Sequence, residues 1–127
     1  VRQDFFACWS NSTETPRTER EAERMKHATQ QNFAALIEQG VVLADFHASW
    51  CAPCRAQADV LAEIEQELFE FLTVIRVEID SCGPLVHEYG VMSVPTLLVF
   101  RDGRVVERII GVQSKKVLLE LITPYLL

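Results

Sequence analysis

Apolar positions along the chain recur in two ways, at steps of three and four and as short unbroken runs, and their alternation orders the predicted elements. Residues 29–40, TQQNFAALIEQG, place Phe33, Leu36 and Ile37 at helical spacing and end on Gly40, which predicts a helix of about ten residues. VVLADFH (41–47) is short, apolar and β-branched at its start, the pattern of a strand buried on both faces. Beyond the junction ASWCAPC, Ala58, Leu61, Ile64, Leu68 and Phe71 mark the inner stripe of an amphipathic helix whose first turn holds Cys51 and Cys54. LTVIRVEID (72–80) predicts a second buried strand and PLVHEYG a short helix. PTLLVFRDGRVVERIIG predicts a hairpin turning at Asp102-Gly103, and SKKVLLELITPYLL a closing helix capped by Ser114. A leading strand within RMKHAT is only weakly patterned.

Helix, strand, helix, strand, helix, hairpin, helix is an α/β order. Two parallel strands with crossover helices, joined to a hairpin, make a central mixed β-sheet flanked by helices on both faces. Residues 28–127 are expected to form this domain. Residues 1–27 differ in composition: Phe5, Phe6 and Trp9 precede the polar stretch SNSTETPRTEREAERMK, where Thr15 before Pro16 suits a helix start. This reads as an N-terminal extension, partly helical or mobile, open to both a loosely packed appendage and a docking segment.

With 127 residues, 49% of them hydrophobic, the chain can bury one core without metal or disulfide support. A net charge of −6 argues against nucleic acid or an anionic membrane as partner, because both demand a basic face. No apolar run approaches a membrane span, FFACW is too short for the core of a signal peptide, and four cysteines are too sparse for a disulfide-built scaffold. A cytoplasmic setting is therefore expected, with Val1 leaving room for a longer precursor.

Cys51 and Cys54 admit three readings: a metal clamp, a structural disulfide or a redox pair. A zinc site needs two more ligands, and Cys8, Cys82, His27, His47 and His87 show no paired spacing that supplies them. A bridge across so short a loop restrains the unfolded chain very little. A strand-to-helix junction, by contrast, places Cys51 at a helix N-terminus, where free N–H groups and the helix dipole stabilise a thiolate. Cys54, three residues on, shares its face and can resolve a mixed disulfide. Pro53 is tolerated there because the N–H it lacks has no intrahelical partner.

ADFHASWCAPCR, VEID and YGVMSVPTLLVFRDGRVVERIIG, in this order and spacing, resemble the thioredoxin family over roughly residues 28 to 127. The resemblance implies a thioredoxin fold and a protein-disulfide reductase with Cys51 as attacking thiolate and Cys54 as resolving thiol. It implies that Asp45 is a buried carboxylate that takes the proton of Cys54. Pro95 would be the cis-proline facing the site, and the backbone of Val94 would pair with a client segment. Trp50, Ala52, Pro53, Val94, Gly111 and Val112 would form a flat apolar docking surface. No bound cofactor is implied: electrons would come from NADPH through a thioredoxin reductase to the Cys51-Cys54 disulfide, and from there to disulfide-containing client proteins. A monomer is expected.

Departures from the family pattern concern the modulators. CAPC replaces the usual CGPC and adds a methyl group. His47 stands where many members carry an aromatic, and either adjusts polarity or packs as a core histidine. Arg76 stands where a lysine commonly approaches the buried aspartate and, if it reaches Asp45, holds the carboxyl pKa down. Cys82 is open to two readings, a regulatory thiol and a small buried hydrophobe. Two alternatives to a cytoplasmic reductase are an exported thioredoxin-like reductase or maturation factor, and a thioredoxin-fold binding module recruited through residues 1–27. The intact Asp45, Cys51, Cys54 and Pro95 speak against loss of redox function.

Overall fold

The structure is a computed structural model and describes residues 25–126. The extension, with its expected helix start at Thr15 and with Cys8, lies outside the described residues. The elements are β1 (Lys26–Ala28), α1 (Phe33–Leu36), β2 (Val41–His47), α2 (Ala52–Leu68), β3 (Thr73–Glu78), α3 (Gly83–Glu88), β4 (Thr96–Arg101), β5 (Arg104–Ile110) and α4 (Lys115–Leu126). Five strands form one sheet in the order β1-β3-β2-β4-β5. β1, β3 and β2 run parallel, while β4 and β5 add antiparallel as the hairpin. This is the expected mixed sheet.

β2 is the central strand, and its alternating side chains enter two separate cores. Val42, Ala44 and Phe46 point to one face, where they meet Phe33 of α1, Ile75, Leu98, Phe100 and Leu85 of α3. Phe33, Phe46, Phe100 and Tyr89 pack there as an aromatic cluster, with the Tyr89 and Phe100 rings edge to face at 5.5 Å. Leu43 points to the opposite face, into Leu61 and Ile64 of α2, Leu97 of β4, and Leu118 and Ile122 of α4. Asp45, two residues after Leu43, therefore hangs from the α2 face of the sheet. A carboxyl group placed there lies on the side of the sheet whose core is otherwise apolar, built of Leu, Ile, Val, Met25 and Ala62.

Local chemistry sets the boundaries. α1 is shorter than the helix expected over 29–40. Thr29 and Asn32 close a reciprocal turn before it, Thr29 N donating to Asn32 Oδ1 at 2.7 Å and Asn32 N to Thr29 Oγ1 at 3.1 Å. At its other end Ile37, not Gly40, is the C-cap. Gly40, with φ +75°, is instead tied to the hairpin tip: its N–H donates to Asp102 Oδ1 at 2.8 Å and its carbonyl accepts from Asp102 N at 2.9 Å. Asp102 (φ +51°) and Gly103 (φ +87°) both lie in the left-handed region, as a two-residue hairpin turn requires.

α2 follows the predicted period with a shift of phase. Its buried stripe is Cys54, Gln57, Leu61, Ala62, Ile64 and Glu65, whereas Ala58 is half-buried and Phe71 lies past the helix end, exposed. Ser114 caps α4 as expected, its Oγ accepting from Val117 N at 3.2 Å. β1 straddles the expected boundary at residue 28 and pairs with β3 from Lys26 to Ala28, while Met25 is buried among Leu72, Val74 and the α2 residues. β5 forms one sheet edge. A register shift opposite Val99 and Phe100 leaves Val106 unpaired in its ladder.

Candidate active site

β2 ends at His47, and within four residues the chain enters α2, so the central strand delivers the cysteines to the surface. Cys51 is the N-cap of α2 with extended backbone (φ −100°, ψ 110°). Its Sγ accepts a hydrogen bond from Cys54 N at 3.1 Å, a place that Ser, Thr or Asp oxygens take in ordinary helices. Cys51 and Cys54 are joined as a disulfide with Cα atoms 5.3 Å apart. Both are buried and share a small cluster with Ala48, Ile79 and Val94. When the bond is reduced, the same N–H group and the positive end of a 17-residue helix favour negative charge on the Cys51 sulfur. Pro53 occupies the first turn, where no donor is needed.

Around the pair lies an apolar rim. Trp50 is 67% exposed and is steadied by a hydrogen bond from its Nε1 to Asp80 Oδ2 at 3.2 Å. Ala52, Pro53 and Val112 are exposed, and Val94 and Gly111 half-exposed. The Val94–Pro95 peptide is cis, as expected. Gly111 N donates to Pro95 O at 2.9 Å, so the turn after β5 rests on the proline loop. Gly111 has φ +90°, a conformation closed to most other residues, which aims Val112 outward beside that loop.

Asp45 is completely buried. Its Oδ2 accepts from Arg76 Nε at 3.3 Å across the β2–β3 register, while Oδ1 has no hydrogen-bond partner. Burial pushes its pKa up to about 6, against the opposing pull of the Arg76 charge and hydrogen bond. Arg76 does reach Asp45, the condition left open in the sequence, but burial outweighs its pull. A carboxyl that changes protonation near pH 6 is suited to accepting a proton.

His47 and His27 line a cleft of about 490 Å³ with Arg76, Glu78, Ser81 and Cys82. Burial lowers the His47 pKa to about 4, helped by the charge of Arg76 and by His27. The same causes, burial and then Arg76, lower His27. His47 is thus a neutral imidazole at neutral pH rather than a charged group beside the dithiol. Cys82, the N-cap of α3, is buried and unbonded, and burial, reinforced by Glu78, raises its thiol pKa. That environment suits the small-hydrophobe reading. Among the described residues no cluster of His, Cys, Asp or Glu could hold a metal ion, and no helix is long and apolar enough to cross a membrane.

Sequence pattern alone passed over Gln57. Its side chain is wholly buried one turn past Cys54, accepting from Gln113 N at 2.8 Å and donating to Gln113 O at 3.2 Å. A polar residue in a helix reads as a surface position; the signal available was its place three residues after Cys54 on the inward stripe.

A family model of thioredoxin matches residues 24–124. A thioredoxin of Bacillus subtilis is 46% identical over 99 residues, covering 78% of this chain and 95% of the relative. One from Chlamydia trachomatis is 42% identical over 97 residues, covering 76% of this chain and 94% of the relative. Among solved structures, a mutant thioredoxin from Halobacterium salinarum superposes with a TM-score of 0.76 at 30% identity, covering 91% of this chain and 97% of the other. The family match spans the strands and helices that bring the cysteine pair to a helix mouth, and the chain belongs to the thioredoxin family, whose chemistry is dithiol–disulfide exchange.

Proposed function

We propose that the chain reduces disulfides in client proteins through Cys51 and Cys54 and is returned to the dithiol by a reductase. The observation that carries this reading is the Cys51 sulfur itself, held at the mouth of α2 by Cys54 N and bonded to Cys54. In the reduced protein the Cys51 thiolate attacks one sulfur of a client disulfide, forming a mixed disulfide and expelling the other client sulfur as thiolate. Asp45 takes the proton of Cys54, and the Cys54 thiolate then attacks Cys51 Sγ. The second client sulfur leaves, and two electrons have passed to the client. Cys51-Cys54 is left as the disulfide present in the structure.

Trp50, Ala52, Pro53, Val112 and the exposed rim of Val94 receive the client, and the Val94 backbone pairs with its extended segment as an added strand would. His47 and Arg76 set the polarity around Asp45. Electrons come from NADPH by way of a thioredoxin reductase, and the protein works as a monomer in a reducing compartment such as the cytoplasm. The dithiol itself carries the electrons, so the family chemistry requires no bound cofactor. The test is turbidity from insulin reduction, first with dithiothreitol and then with thioredoxin reductase and NADPH. Acceleration in both supports the reading; a chain that takes electrons from dithiothreitol but never from the reductase has a different electron source, and one that accelerates neither is no reductase.

A further inference from the structure

The turn that carries Gly111 and Val112 is held from two sides. On one side Gly111 N bonds to the carbonyl of Pro95. On the other, Gln57 reaches out of α2 and occupies both backbone groups of Gln113, as a neighbouring strand residue would. The two partners are 56 residues apart in the chain, and the Gln57 side chain has no exposure to solvent. Few side chains other than an amide of this length can donate and accept at once to a single residue's N–H and C=O. The helix that activates Cys51 and the turn that presents Val112 are thereby locked in one relative position.

We infer that Gln57 is a positioning residue for client polypeptides: it fixes the Gly111–Gln113 turn relative to the dithiol, so that an extended client meets a preformed surface. The inference rests on the function proposed above, with the turn as part of the docking face. The hydrogen bonds of Gln57 go to Gln113 and not to the sulfur atoms, so its action runs through the turn. Its effect falls on substrates large enough to reach Val112, and least on disulfides that reach only Cys51. Without the amide bridge, a client must order the turn as it binds, which weakens binding in proportion to the fraction of time the turn is in place.

The experiment compares prereduced wild type with Gln57→Leu and Gln57→Glu in single-turnover reactions followed by Trp50 fluorescence. One substrate is a disulfide-bonded peptide and the other a small symmetrical disulfide. In Gln57→Leu the half-saturating peptide concentration should rise, and the ratio of peptide to small-disulfide rate should fall about three- to tenfold. Exchange of the Gln113 amide with deuterium should accelerate by about tenfold or more, with the β2 amides little affected. Gln57→Glu keeps an acceptor for Gln113 N but carries a donor only when protonated. Its buried carboxyl should titrate high, so the peptide-to-small-disulfide ratio should recover as pH is lowered from about 8 to about 6. Equal losses on both substrates would overturn the inference, as would a Gln113 amide that exchanges freely without any change in the ratio. If Gln57→Leu does not fold, a pH-independent ratio in Gln57→Glu overturns it. Failure of the underlying reading would show in wild type, as an inability to reduce the peptide at all.

Discussion

Asp45 offers a prediction in which stability and activity move in opposite directions. A carboxyl raised from 3.8 to about 6 is, at 1.36 kcal/mol per tenfold in proton affinity, about 3 kcal/mol harder to ionise in the folded chain than in the unfolded one. The sign follows from proton binding. Below about pH 4 both states are protonated, and Asp45 imposes no ionisation penalty; as pH rises through about 6 the folded chain loses this advantage; above that the deficit is constant. Asp45→Asn keeps the shape and removes the ionisation. The oxidised variant should gain up to about 3 kcal/mol over wild type at pH 7.5, and the gain should shrink toward pH 4. With a urea dependence of about 1.5 kcal/mol per molar, that is a shift in midpoint of about 2 M at the upper pH. The unpaired Oδ1 and the enclosing apolar core favour this sign, while the Arg76 bond limits its size. Urea titrations of both proteins across this pH range, followed by circular dichroism, are the assay. Parallel stability profiles would refute the reasoning, because they would mean that Asp45 ionises as readily in the fold as outside it. On the role proposed for Asp45, release of the mixed disulfide should also slow near neutral pH in the same variant, because Cys54 would lose its proton acceptor.

Cys51→Ser should abolish reduction of insulin, whereas Cys54→Ser should still attack once and accumulate mixed disulfides on non-reducing gels; equal trapping by the two would reverse the assignment of nucleophile and resolver. His47, with its pKa lowered to about 4 by burial and by Arg76, contributes stability that is present above about pH 6.5 and is lost as pH falls toward 4. Its imidazole signals in NMR should therefore titrate far below 6.5, and His47→Gln should flatten the acid limb of the stability curve; a midpoint at or above 6.5 would contradict the burial argument. A chain beginning at Met25 should fold and keep most insulin reduction. One beginning at Thr29 loses β1 and the buried Met25, and its thermal midpoint should drop by several degrees, corresponding to about 2 kcal/mol or more; equal midpoints would show that the edge strand adds nothing.

Much of the architecture was legible because β2, β3 and β4 are mostly apolar stretches with well-marked ends, Asp45 and Arg76 being the interior exceptions, and because the Asp102-Gly103 pair admits few conformations. The thiol chemistry was equally plain, since the CAPC motif lies at a strand-to-helix junction. The short α1 was not legible: Phe33, Leu36 and Ile37 carry helical spacing, but the Thr29–Asn32 turn and the tie from Gly40 to Asp102 are contacts of side chains and of residues 62 positions apart. β1 was faint because a three-residue strand at a sheet edge, two of whose positions are Lys26 and His27, has too few positions to show a period. Gln57 was hidden by its chemistry, since only the fold supplies the backbone that satisfies its amide. The net effect of Arg76 on Asp45 was also beyond the sequence. Proximity could be guessed from the family, but the contest between burial and charge is decided by depth.

The uneven edge formed by β5 has a consequence for how the chain meets extended polypeptides. An extended client seeks any row of free backbone N–H and C=O groups, and a straight apolar edge would bind it without chemistry and seed chain-to-chain growth. Here Arg104, Glu107 and Arg108 interrupt the outer strand, and the irregular step at Val106 breaks its hydrogen-bonding rhythm. Such an edge is a poor template for polymerisation. On the docking mode proposed for Val94, an extended client would instead pair with the short stretch of backbone beside the cis-proline, near the Cys51 sulfur, and would be released once its disulfide is opened.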